Sequence, residues 1–278
     1  MAKKGKVKSG ETERLYLESL ASTLTGWNDP EARVARALEQ NEFLLFGQSA
    51  VPLNKARGLP PYTEVLIRLQ EEERNLTPPG AFLPIFEYLE MMPALDRWVI
   101  EHAAKWWRAG GSARDVVLGI NLSGDTLGEA GFPAFVERQA DAHGLPPQSL
   151  CFELVATEIV VAPLQMERAA KKLNSLGCRF AITSFGRDSI SFDALKTVAA
   201  SLVKIDGAMV KEIHRDAVAL AKVRSIQQVC GKAGIRTVAE FVEHPETLKL
   251  LKEIGVDYAQ GYGVARPAPL DGAPAGTA

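Results

Sequence analysis

From residue 116 to residue 260 the chain repeats one short phrase: a few apolar residues, a polar residue, then a helical stretch closed by glycine. Val116 to Ile120 ends in Asn121, Leu150 to Phe152 in Glu153, and Phe180 to Ile182 in Thr183. Leu202-Val203 ends in Lys204, Thr237 to Ala239 in Glu240, and Tyr258-Ala259 in Gln260-Gly261. Between these runs, Met166, Ala169, Leu173 and Leu176 recur at helical spacing, and Gly177 closes the stripe. Phe132 to His143, Ala217 to Lys232 and Glu246 to Ile254 read as helices closed by Gly144, Gly234 and Gly255. Short, nearly continuous apolar strands alternating with helices argue for a parallel sheet covered on both faces.

The first third is less regular. Glu11 to Leu24 predicts a helix, and Asp29-Pro30 predicts a second, with Asp29 as N-cap and an end near Gln40. Phe43 to Leu53 reads as a strand ending near Gln48, and Tyr62 to Leu69 as another. Thr77-Pro78-Pro79-Gly80 leads into a helix near Phe82. Ala94 to Arg108 is helical, with Leu95, Trp98, Val99 and Trp106 on one face and Gly110-Gly111 at its end. About eight strands in 278 residues suit a (β/α)8 TIM-like barrel, preceded by N-terminal helices. The first connection, Asn54 to Pro61, holds no helix, so an antiparallel first strand stays open. A doubly wound open sheet is the alternative, but no glycine-rich phosphate loop follows the first strand. The expected organisation is a disordered basic tail over 1–10, helices over 11–40, the barrel over 41–270 and a disordered tail over 271–278.

Charge narrows the ligand. A net charge of −2 gives no electrostatic ground for broad nucleic-acid or membrane binding, so any anionic ligand is small and held by a few local cations. No apolar run reaches the roughly 18–20 residues of a membrane span. The basic start, MAKKGKVKSG, has no apolar run behind it and reads as a tail, not a signal peptide. Cys151, Cys178 and Cys230 are odd in number, widely spaced and in apolar contexts, which fits reduced core residues of a cytoplasmic protein.

In a barrel the residues closing the strands face one mouth, where catalytic groups gather. Here they are Gln48, Glu64, Asn121, Glu153, Thr183, Lys204, Glu240 and Gln260. Carboxylates, amides and a lysine converging there resemble a divalent-metal and phosphate site, with oxygen ligands suited to Mg²⁺, Mn²⁺ or Ca²⁺. The stretch Arg179 to Asp188, RFAITSFGRD, is a buried strand running into a tight turn, and its polar end is two neutral hydroxyls, Thr183 and Ser184.

These segments, in this order, resemble the EAL-domain family, the cyclic di-GMP phosphodiesterase fold, over about residues 40–270. The Glu-Ala-Leu-x-Arg signature stands as Glu64-Val65-Leu66-Ile67-Arg68. Pro79 to Pro84 with Asp96 to Val99, Asn121-Leu122-Ser123, Glu153, Lys204-Ile205-Asp206, Ala239-Glu240 with Val242-Glu243, and Gln260-Gly261-Tyr262 complete the series. The resemblance implies an EAL-type barrel binding cyclic di-GMP through Gln48, Glu64, Leu66, Arg68, Asn121, Glu153, Lys204, Glu240, Phe241, Glu243 and Gln260. Arg68 would contact a phosphate and Lys204 add a second positive charge. Gln48 stands at a guanine-contacting position, although the usual Gln-Pro-Ile reads Gln48-Ser49-Ala50. Phe241, in place of a family glycine, is either a shelf for a guanine or a space-filler over the mouth. Arg187 is either a surface arginine or a group reaching a phosphate.

The chain also departs from the pattern. The family's Asp-Asp-Phe-Gly is Thr183-Ser184-Phe185-Gly186, the second Glu of its Glu-x-Thr-Glu is Ala156, and its Thr-Gly after Phe-Gly is Arg187-Asp188. By resemblance the first of those aspartates bridges two metal ions and the second holds one, whereas a hydroxyl is a poor ligand beside a carboxylate. The expectation is therefore a chain that is not an enzyme. No catalytic residue is assigned beyond the remnants Glu64 and Lys204, and no cofactor is required. Mg²⁺ or Mn²⁺ binding is lost or confined to a weak site of Glu64, Asn121 and Glu153. Such a chain would serve bacterial signalling as a cyclic di-GMP receptor. The alternatives are a ligand-free protein-interaction module and a weak residual phosphodiesterase. The expected partners are cyclic di-GMP, an unidentified protein effector and, by resemblance, a second copy in a homodimer.

Overall fold

A computed structural model describes residues 16–54, 58–71, 75–110, 115–187 and 192–270; the expected tails at 1–10 and 271–278 lie outside them. Residues 16–24 form helix α1. Helix α2 (Pro30–Glu39) starts where Asp29 accepts a hydrogen bond from Ala32 N at 3.1 Å, one orphan amide of the first turn being satisfied. Strands β1 (Phe43–Pro52), β2 (Tyr62–Gln70) and β3 (Leu76–Thr77) follow, then α3 (Pro79–Tyr88) and α4 (Met92–Arg108). The regular part runs β4 (Val117–Asn121), α5 (Gly124–Gly128), α6 (Phe132–His143), β5 (Leu150–Val155), α7 (Ala156–Val161), α8 (Pro163–Leu176) and β6 (Arg179–Phe185). It continues α9 (Phe192–Thr197), β7 (Leu202–Ile205), α10 (Gly207–Glu212), α11 (Ala217–Lys232), β8 (Arg236–Ala239), α12 (Pro245–Ile254), β9 (Tyr258–Ala259) and β10 (Ala268–Pro269). Gly177 stops α8 at φ 104°, a backbone region that costs a residue with Cβ far more than glycine.

The chain divides into two compact units, Met1–Leu45 with Ile67–Val99, and Phe46–Leu66 with Ile100–Ala278. The first is held by an aromatic cluster. Phe43 packs on Phe82, Phe86 and Trp98 with centroids 5.6, 5.9 and 5.4 Å away, and Trp98 Nε1 donates to Asn41 Oδ1 at 2.9 Å. Arg33 spans two carboxylates, Glu42 at 2.5 Å and Glu71 at 3.1 Å. Strand β3 pairs antiparallel with the end of β2, Thr77 opposite Leu69.

The second unit contains a closed ring of eight strands, β1-β9-β8-β7-β6-β5-β4-β2 and back to β1. Neighbours from β2 round to β9 are parallel, while β1 runs antiparallel to β9, with Val51 opposite Ala259. It must therefore also run antiparallel to β2, and the alternative of an open doubly wound sheet falls. Strand β10 also pairs antiparallel with β1, Ala268 opposite Gly47. Ala50, Tyr62, Val117, Cys151, Ala181, Leu202, Val238 and Tyr258, one from each ring strand, form a buried interior layer. The barrel is thus a packed core and not a pore.

Glu153, Thr183 and Lys204 fall one or two residues short of their strand ends, and two further expected ends lie far from one. Gln48 lies in the middle of β1, and Glu64 is the third residue of β2. The six-residue helices α7 and α10 went unanticipated because they begin within one or two residues of a strand end, too short for a periodic stripe to form.

Candidate ligand site at the barrel mouth

The alternation of strand side chains decides which residues enter the barrel. In β7, Lys204 points inward and is completely buried. Its ammonium meets Glu64 Oε2 at 2.6 Å, Glu153 Oε2 at 2.7 Å and Glu240 Oε1 at 3.3 Å. Strands β2, β5 and β7, and the residue just past β8, thus converge on one cation. Gln260, just past β9, donates to Glu64 Oε2 at 2.7 Å, and Asn121 at the end of β4 donates to Glu64 Oε1 at 2.9 Å. Gln260 Nε2 also approaches Gln48 Oε1 at 3.4 Å, and Gln48 Nε2 donates to Ala265 O at 2.9 Å.

The electrostatics follow from burial set against this pairing. Burial alone would push Lys204 down, but Glu153, Glu64 and Glu240 outweigh it and hold the lysine well above its ordinary range. Burial would likewise raise Glu64, yet Lys204 and the donors Asn121 and Gln260 bring it below the usual carboxylate value. For Glu153 burial wins, and its carboxyl is pushed up to about 7; Glu240 is raised for the same reason. The result is a charged lysine among carboxylates of unequal strength.

Sequence reasoning missed a contributor to this cluster. Tyr62, fully inside the barrel, donates its hydroxyl to Glu153 Oε1 at 2.7 Å. It fits because Gly119, opposite Glu64 in the β2–β4 ladder, has no side chain; a Cβ there would collide with Glu153 Oε1 and the Tyr62 phenol. The signals were present. Tyr62, Glu64 and Leu66 share one face of β2, and a glycine inside a strand marks a close approach.

The remaining expected residues are more dispersed. Leu66 is half-buried on β2. Arg68 belongs to the first compact unit, where its Nη1 donates to Ile67 O at 2.8 Å. Thr183 turns its hydroxyl back to Leu154 O at 3.4 Å. Ser184 takes a left-handed backbone, φ 51°, where β6 slips register against β7. Glu243 does not join the Lys204 cluster but pairs with Lys211 at 3.3 Å. Phe241 is 54% exposed at φ 53°, with Lys211 Nζ 5.2 Å from its ring centre. Its ring lies over Gly207, where a Cβ would overlap it.

Among the described residues no group of three or more His, Cys, Asp or Glu side chains is arranged to hold a metal. Both Glu64 oxygens and both Glu153 oxygens already accept hydrogen bonds from Lys204, Asn121, Gln260 or Tyr62.

Comparison with known proteins places this site in a family. The EAL domain family matches residues 31–267. Over 239 residues the chain is 37% identical to the cyclic di-GMP phosphodiesterase PdeB of Shewanella oneidensis, covering 86% of this chain and 28% of that protein. It is 32% identical to the cyclic di-GMP phosphodiesterase PdeF of Escherichia coli, covering 86% of this chain and 32% of the relative. The chain thus spans about a third of the length of these relatives. Among solved structures it resembles the FimX EAL domain of Pseudomonas aeruginosa bound to c-di-GMP, with TM-score 0.80 and 28% identity over 86% of this chain and 96% of that one. The expectation of a chain that is not an enzyme is overturned by these relatives, since PdeB and PdeF carry the phosphodiesterase name at 37% and 32% identity. The replacements at Thr183 and Ser184 therefore do not by themselves establish loss of activity. By the span of the match and the identities of these relatives, the chain belongs to the EAL domain family.

Proposed function

We propose that the barrel mouth binds cyclic di-GMP. The observation that carries the reading is a polar cluster, Asn121, Gln260 and Gln48 around Glu64 with Lys204 balancing the carboxylates, followed directly in the chain after Glu240 by the exposed Phe241. A small dianionic dinucleotide needs a few localised donors and aromatic surface, and the chain's net charge of −2 leaves that task to single side chains. Phe241, exposed and held in a costly backbone conformation, supplies the aromatic surface for a guanine. The FimX EAL domain, alike in fold, was solved bound to c-di-GMP.

Hydrolysis of the bound phosphodiester is the second reading, favoured by the names of PdeB and PdeF. Glu153, raised by burial, and the charged Lys204 beside it are the ionisable groups beneath such a ligand. Isothermal titration with cyclic di-GMP in EDTA and again with Mn²⁺, followed by chromatography of the ligand, tests both. Heat with intact ligand supports binding alone, and linear dinucleotide in the cell supports hydrolysis. Absence of heat in both buffers overturns the binding reading in favour of a protein-interaction module.

A further inference from the structure

We infer that Arg187 is the phosphate-gripping residue of this site, resting on the reading that the mouth takes cyclic di-GMP. The turn after β6 folds against the start of α10. Ser184 and Gly186 adopt φ 51° and 97°, and Arg187 N closes the turn on Ser184 O at 3.3 Å. Its Nε then bonds Asp206 Oδ2 at 2.9 Å. Asp206 is buried, two residues beyond Lys204, and its other oxygen accepts from Ala208 N at 3.0 Å. One edge of the guanidinium is thereby fixed on a rigid partner while the side chain stays 63% exposed. Among the described residues Nη1 and Nη2 have no protein partner. A planar fork anchored at one edge and open at the other suits bidentate capture of a phosphate.

The placement points to a nucleotide. Asp206 anchors Arg187, and the next residue, Gly207, supports the Phe241 ring. A guanidinium and an exposed aromatic ring are therefore both seated on the Asp206–Gly207 step, one suited to a phosphate and the other to a base. Neighbouring cations are otherwise engaged. Lys204 is enclosed by three carboxylates, Lys211 pairs with Glu243, and Arg266 lies 5.2 Å over the Tyr262 ring. Three carboxylates against one lysine repel a phosphate, and Arg187 offsets that repulsion from outside the cluster.

Calorimetry of the full chain with cyclic di-GMP at two salt concentrations tests this on Arg187→Gln, Arg187→Lys and Asp206→Asn, with melting temperatures in parallel. Arg187→Gln is expected to weaken binding roughly tenfold to a hundredfold and to flatten the salt dependence. Arg187→Lys recovers part of the loss, because charge returns without the fork. Asp206→Asn keeps the oxygen that accepts from Ala208 N but turns an amide NH2 toward Arg187 Nε, so the anchored edge is lost while the charge stays, and binding weakens less than in Arg187→Gln. If Arg187 only braces the fold through Asp206, Asp206→Asn falls as far as Arg187→Gln, and the inference is overturned. Unchanged affinity and salt slope in Arg187→Gln, with the unaltered chain binding, overturns it as well. No binding by the unaltered chain removes the functional reading and this inference with it.

Discussion

Replacing Lys204 by methionine removes the one cation from a set of three buried carboxylates at 2.6, 2.7 and 3.3 Å while keeping most of the side-chain volume. Removing one partner of a buried ion pair costs about 3–5 kcal/mol, because the other is left charged and desolvated. Here protonation of the carboxylates is the escape route. In the unaltered chain Lys204 is raised, so its contribution is fully present at every pH well below the ordinary lysine value and does not vary between pH 5 and 8. In the variant Glu64 loses the cation that holds it low and joins Glu153 and Glu240 above the ordinary value of 4.5. A carboxyl raised in the folded state binds more protons folded than unfolded. Its stability is present at low pH and is lost as pH rises from the unfolded value through the folded one. The deficit of Lys204→Met should therefore widen with pH, from about 1–2 kcal/mol at pH 5 to about 3–5 kcal/mol at pH 8. Urea unfolding of both proteins, followed by tryptophan fluorescence at the two pH values, measures it. A deficit under about 1 kcal/mol at pH 8, or one equal at both pH values, refutes the claim that Lys204 compensates those carboxylates.

Other consequences are simpler to check. Gly119→Ala forces a methyl against Glu153 and Tyr62 and should cost about 1–3 kcal/mol in a thermal melt, part of it recovered by adding Tyr62→Phe; an unchanged melting temperature would remove the tight-contact argument. Phe241→Gly relieves a left-handed backbone worth about 1–2 kcal/mol but adds unfolded-state entropy, so stability should move by less than about 1 kcal/mol. Its cyclic di-GMP affinity should nevertheless fall about tenfold or more, and unaltered affinity would make Phe241 a space-filler. Burial pushes the thiols of Cys151 and Cys178 up to about 12 and Cys230 to about 11, so none should be alkylated by iodoacetamide at pH 8 until urea is added. Mass spectrometry reads the modification, and rapid labelling of the folded chain would count against their enclosure.

What was legible in the sequence was local. Gly144, Gly177 and Gly255 mark helix ends because each adopts a left-handed backbone there, a demand imposed within one turn. Lys204, Glu240 and Gln260 were found from the apolar runs that precede them. The connection Asn54 to Pro61, too short of helical pattern for a parallel crossover, left an antiparallel first strand open, and β1 is antiparallel; nothing local fixed where it ends, so Gln48 was placed at an end instead of mid-strand. The Tyr62–Glu153 hydrogen bond joins residues 91 positions apart and depends on Gly119 in a third strand. The expectation of a chain that is not an enzyme leaned on the replacements at Thr183 and Ser184, whereas relatives matching 86% of the chain carry the phosphodiesterase name.

The ring closes between the first and last of its strands, and this has a kinetic consequence. Val51 meets Ala259, Gln48 meets Gln260 across 212 positions, and Lys204 meets Glu64 across 140. Bringing segments some 200 residues apart together carries a loop-closure entropy on the order of 5 kcal/mol, which must be met before the contacts form to repay it. Chains dominated by such distant pairings fold slowly, and these pairings belong to the late steps. The polar cluster at the mouth is then among the last parts of the molecule to assemble and among the first to come apart. A small molecule seated there would leave the folding rate nearly untouched and lengthen the lifetime of the native state, so that occupancy would be read in the unfolding arm of the kinetics.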